Sequence, residues 1–216
     1  SKKIITLYGS FHIAASGIIF PITFIFLIAI NEAYGHKKCG RAILIILICQ
    51  LIFTICLWSF SHIPSPDITN QQVLINHAYF TIFSHYGQVV LGSMLGVGFA
   101  YYFFSVCNSF LKVRLCSSNI YFRVIVSTCF SKAVLVILAY FFNLWGMFNI
   151  YEILKICFYT WIIKVAASFL TLFLSIPLVE ISQKLDKTNV FDIGVSYNPI
   201  HLFTHKSQGV NLYGSK

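Results

Sequence analysis

The side chains in this sequence that could do chemistry sit within apolar runs or at their ends. Lys164 lies near the middle of one such run, Ile153–Val179, too deep to reach either end easily. An ammonium at that depth is costly unless it meets a carboxylate, a carbonyl or water. It therefore reads as part of a pathway or binding site ahead of a structural pair between helices. Lys132, about two turns into Val124–Phe142, is balanced between a snorkelling structural residue and a functional one. Lys155 stands at the mouth of its run and reads as an interface residue. Asn31, Glu32 and Tyr34 close another run. A plain bridge from Glu32 to Arg41 or Arg123 is at least as good a reading as solute contact. Ser84, His85 and Gln88 open a third run, where a histidine is more often a satisfied interfacial residue than a ligand. Tyr101, Tyr102 and nearby phenylalanines read first as core or lipid-facing, and second as faces that could sandwich a planar heterocycle. This is chemistry of charge and hydrogen bonding. No Walker motif, metal-ligand spacing or nucleophile with its base is present, so an enzyme, and a built-in ATPase above all, is excluded. The candidate solute-binding set is Glu32, Asn31, Lys164, Arg123, Gln88 and Tyr34, with no cofactor and no metal.

The elements that must position these residues are membrane helices. Of 216 residues, 58% are hydrophobic and only 10% charged, and the mean hydropathy is +0.81. Soluble domains average about a quarter charged residues. Crossing a bilayer core of roughly 30 Å takes about 20 apolar residues in a helix. Residues 13–33 supply a first span, with Pro21 inside it and residues 4–12 as an interfacial or re-entrant lead-in. Further spans are expected over 42–60, 87–108, 124–142 and 153–179, with 78–86 lying at the interface. Gly92, Gly96 and Ala100 recur every fourth residue, which lets a second helix approach closely. The expectation is an all-α integral membrane protein with five transmembrane helices in this chain. Residues 1–183 form one transmembrane domain and 184–216 a polar cytoplasmic tail. The seven cysteines form no CxxC pair and read as small hydrophobes in helices.

Charge assigns the sides. Lys37, Lys38 and Arg41 mark one loop, Lys112, Arg114 and Arg123 another, and Lys184, Lys187, Lys206 and Lys216 the tail. The loops 61–77 and 143–152 contain neither Lys nor Arg. By the positive-inside rule the basic segments are cytoplasmic and the bare loops face out. That rule accounts for the net charge of +9 better than nucleic-acid binding does. Five spans with a cytoplasmic tail leave the start of the chain outside, so a further upstream helix is expected.

The segment Phe20-Pro21 … Asn31-Glu32-Ala33-Tyr34-Gly35 … Arg41 resembles the FP…(T)EVYG…R signature of the queuosine precursor transporter family, also called the vitamin uptake family. Lys112 followed by Arg123-Val124-Ile125-Val126-Ser127-Thr128 resembles that family's K…RxxxST step. Lys164 resembles a lysine in its last helix, and Val190-Phe191-Asp192 … Ser196-Tyr197-Asn198-Pro199 resembles its usual ending. The resemblance implies six helices with both ends cytoplasmic, this chain starting at the second. It also implies import of a deazaguanine base such as a queuosine precursor or queuine. Ile28, Phe104 and Leu135 stand where many members carry polar or acidic groups, so the chain resembles a divergent member.

The reading is a multi-pass inner-membrane transporter for a small planar, purine-like solute, with the lipid bilayer as its setting and a homodimer compatible with it. Two rivals stand beside it: a substrate-binding subunit that docks on a separate energising module, and a structural membrane protein that transports nothing.

Overall fold

Apolar runs of this length can satisfy their backbone in lipid only as helices or closed barrels, and here they form helices. The computed structural model describes residues 4–7, 11–14, 16–63, 70–84, 86–115, 119–146, 148–203 and 209–213. Five α-helices follow in order: α1 (Ser16–His62), α2 (Asn70–Ser84), α3 (Tyr86–Arg114), α4 (Ile120–Leu144) and α5 (Ile150–Asp186). Among the described residues four of them, all but α2, are long and apolar enough to cross a membrane.

The count is four instead of five because the first two expected spans are joined in α1. Its apolar stretch Ile22–His62 has 41 residues, about 60 Å of helix and twice the thickness to be crossed. Gly35 breaks it, with φ 79° and ψ 177°. On the first limb Thr23 meets Tyr101 at 2.6 Å, and Glu32 lies further along α3 at Asn108. On the second limb His36 meets Ser105, and Leu47 packs at Gly98. The first limb thus runs parallel to α3 and the second runs back along it. The expected pair of crossings is present as a hairpin with Gly35 at its apex.

Other boundaries differ too. The expected loop over 61–77 holds the start of α2, whose Gln, Leu and Ala residues favour helix. At 15 residues α2 is too short to cross, and its last turns are the segment expected at the interface. The lead-in is a two-stranded antiparallel hairpin, β1 (Ile4–Leu7) with β2 (Phe11–Ala14), pairing Leu7 with Phe11. β-Branched Ile4, Ile5 and Thr6, followed by Gly9-Ser10, carry that signal. α5 continues seven residues beyond Val179, with Pro177 inside it.

α1 packs on α3 and α5, α3 on α4, and α4 on α5, so the four long helices close a ring. The small-residue face of α3 meets α4: a Cβ added to Gly96 would lie 2.9 Å from the Ala139 Cβ. Phe24, Ile28, Tyr101, Phe104, Val124, Leu135 and Leu172 fill the centre. Ile48, Ile52, Phe53, Phe141, Leu170 and Phe173 point outward, as lipid-facing side chains do. The tail is bound to the bundle. Its β3 (Val190–Phe191) pairs with β4 (Val210–Asn211), and β3 and a 3-10 turn at Pro199–Phe203 both lie against α1.

Candidate functional site

Three helices turn polar residues inward at helical spacing. On α3 they are Ser105, Asn108, Ser109 and Lys112; on α4 Arg123, Ser127, Thr128, Ser131 and Lys132; on α5 Thr160, Lys164, Ser168, Thr171 and Ser175. Offsets of three and four place each set along one face. A bundle with apolar residues outside and this much polarity inside is built to hold something polar, or to hold itself together by polar contacts.

The first cluster forms at the Gly35 end, around Glu32. That carboxylate is 1% exposed. It accepts from Arg123 Nη2 at 3.2 and 3.1 Å and from Asn108 Nδ2 at 2.8 Å. The Lys112 ammonium stands 3.5 Å from it. Lys112 also donates to the Glu32 carbonyl at 2.6 Å and to the Val190 carbonyl at 3.0 Å. Asn31 donates to Ser105 Oγ at 2.6 Å and accepts from Asn108 at 2.8 Å. One carboxylate between two cations, with its remaining lone pairs bonded, is the arrangement that makes a buried ion pair tolerable. Of the two partners the sequence offered Glu32, Arg123 is the one used; Arg41 donates instead to the Leu202 carbonyl at 2.9 Å.

The tail closes over this cluster. Asp192 Oδ2 accepts from the His36 backbone N–H at 2.9 Å, capping the second limb of α1 where it restarts after Gly35. Gly35 could not be another residue without strain. Its φ is in the left-handed region, and a Cβ there would lie 2.9 Å from Asp192 Oδ1. Tyr102 donates to the Tyr197 carbonyl, and the Tyr197 ring packs edge-on against His36 at 5.2 Å. Burial pushes the Tyr197 phenol up to about 12, with Asp192 adding to the shift, so it remains protonated at neutral pH.

The second cluster lies deeper. Lys132 is 0% exposed, which overturns the snorkelling reading. Its ammonium donates to the Lys164 carbonyl at 2.9 Å and to Ser168 Oγ, and stands 4.7 Å from the Phe24 ring centroid. Lys164 is 4% exposed, and its ammonium lies 5.6 Å over the Tyr140 ring.

Asn31, Glu32 and Arg123 come together. Tyr34 is half-buried beside them and donates to Asp186. Lys164 does not join them. Arg123 and Tyr140 mark the two clusters on α4, and 17 positions of helix between them amount to about 25 Å. A single planar base is too small to touch both Arg123 and the Tyr140 end of the second cluster, whereas Lys132 is only nine positions, about 14 Å of helix, from Arg123. Gln88 falls in the first turns of α3, and its side chain, like His85, lies outside the described residues. Asn108, Lys112, Ser127, Thr128 and Lys132 were missing from the candidate set. The signal for them was a spacing of three and four within apolar runs, readable on all three helices. Ile28, Phe104 and Leu135, the three positions without the resembling family's polar groups, are all buried in one apolar cluster with Phe24.

No curated protein and no solved structure matches this chain. Multi-pass helices, an apolar exterior and inward-facing polar stripes agree with a membrane transport protein. The family described as "Putative vitamin uptake transporter" matches it over residues 14–178, most of its length, and the chain belongs to that family.

Proposed function

We propose that this chain imports a small planar solute across the inner membrane, and that the solute is a deazaguanine base, a queuosine precursor or queuine. The solute lies between the Glu32 cluster and Lys132, along the inward face of α4. The observation that carries this reading is Arg123. It is 1% exposed and commits Nη2 to Glu32, while its Nε and Nη1 have no hydrogen-bond partner among the described residues. Buried guanidinium donors without partners are expensive, and a carbonyl is what they lack. Ser127 Oγ and Thr128 Oγ1, a turn further along the helix, are also buried and unpartnered.

A guanine-like edge fits this set. Its carbonyl accepts from Arg123, and its ring N–H and amino group donate to an acceptor such as Glu32, which would exchange one of its present bonds. Phe24, with Tyr101 and Phe104 edge-on at 5.1 and 5.7 Å, supplies aromatic surface for the ring.

The test is thermal stabilisation of the purified chain by deazaguanines, with adenine and cytosine as controls, followed by uptake into liposomes. Wild type should be stabilised by deazaguanines only. Arg123→Lys keeps the charge and removes the planar fork, so affinity should fall by about the 1.5–3 kcal/mol of a charge-assisted hydrogen bond. Absence of any deazaguanine response in folded wild type would sink the reading. Uptake by the chain alone would also rule out the rival in which it only binds solute for a separate energising module.

A further inference from the structure

In a buried interior an unmatched charge decides what else can enter. Lys112, Arg123, Lys132 and Lys164 are each no more than 4% exposed. Among the described residues the buried carboxylates are Glu32 and Asp192. Glu32 is bonded to Arg123 and Asn108, with Lys112 3.5 Å away. Asp192 is bonded to the backbone at the apex of α1. Glu152, Glu180 and Asp186 are exposed on the terminal turns of α5. No acid stands near Lys132, whose partners are a carbonyl, a hydroxyl and a ring. Two of the buried aromatic faces already carry a cation, Phe24 with Lys132 and Tyr140 with Lys164. Ile28, Phe104 and Leu135 add only hydrocarbon to the same core.

We propose that the bundle selects against positive charge: its solute is neutral or anionic, and Lys132 is the residue that sets this preference. The inference rests on the transporter reading and narrows its substrate class: among deazaguanines it favours a neutral precursor and disfavours queuine and other members whose side-chain amine is protonated at neutral pH. A cationic solute would meet Arg123 and Lys112 beside Glu32 and like charge again at Lys132, whereas a carbonyl or carboxylate could take a hydrogen bond from Lys132 in place of the Lys164 carbonyl.

The experiment compares ligands that differ only in charge, on the full chain in liposomes. One set is 7-deazaguanine bearing a cyano, a carboxylate or an aminomethyl group at carbon 7. The other is pyridine bearing a carboxamide, a carboxylate or an aminomethyl group at carbon 3. In whichever set binds, the cationic member should be at least about tenfold weaker than its neutral counterpart. Lys132→Gln, or Lys132→Met should that variant fold better, should narrow the gap to about threefold or less and weaken the carboxylates. If only the pyridine set binds, the deazaguanine reading falls and the charge rule is judged from that set alone. A cationic member that binds as tightly as its neutral counterpart overturns the proposal. A gap unchanged in the Lys132 variants overturns the role given to Lys132.

Discussion

Glu32 and Lys132 are buried to within 1% of complete exclusion from solvent, yet the chain holds them in opposite ways. Around Glu32 opposite charges and a side-chain amide converge. Around Lys132 the partners are neutral, and the next charged side chain along α5 is another lysine. A matched group of the first kind is difficult to dismantle, because removing one member strands the others. An unmatched cation contributes little to stability, and in membrane interiors such residues mark where the protein handles solute or ions. The comparison separates a part of the interior where charge is matched from a part where it is not.

The hardest blow to that comparison is Glu32→Gln. It leaves Arg123 and Lys112 buried without a counter-charge and should cost about 3–5 kcal/mol, read as a lower melting transition in detergent with membrane insertion intact. Wild-type melting would mean the Glu32 cluster is no clamp. Next in size is Gly35→Ala. A left-handed φ costs a side-chain-bearing residue roughly 1–2 kcal/mol, and the new Cβ must also push Asp192 Oδ1 away from 2.9 Å. Denaturant unfolding should reveal at least that loss; an unchanged midpoint would detach the tail from the clamp. The smallest expected change is Lys132→Met. Its stability should stay within about 1 kcal/mol of wild type or rise, since an uncompensated charge has gone. A melting temperature far below wild type would make Lys132 a second clamp and erase the distinction.

Much of this was legible in the sequence, for physical reasons that differ from part to part. Apolar length fixes membrane helices whatever their neighbours, so the spans could be read from residue types alone. Gly92, Gly96 and Ala100 announced a close helix contact because only small residues permit one. Glu32 at the end of a span demanded a cation, and Arg123 was one of two named. What could not be read was which distant helices meet. Nothing local distinguishes Lys132 from a snorkelling lysine, because its burial depends on Phe24 and Ser168 from other helices. That Lys164 meets Tyr140 and not Glu32 is likewise a property of the ring of helices and of no single run. The hairpin at 4–14 was lost to a membrane reading of residues whose β-branching pointed to strand.

Asp192 reaches back 156 positions to cap the helix that restarts at His36. Ribosomes add about 5–20 residues per second, so at that pace the apex of α1 exists for roughly 8–30 s before its cap is synthesised. Lys112, Tyr102 and Arg41 likewise wait for carbonyls at Val190, Tyr197 and Leu202. During translation, then, the first hairpin forms before the segment that caps its turn has been made. The stretch that seals it, residues 190–202, is made after all five helices. A nascent chain stalled before residue 190 would hold all four long helices of the ring and still lack the latch at the apex of α1.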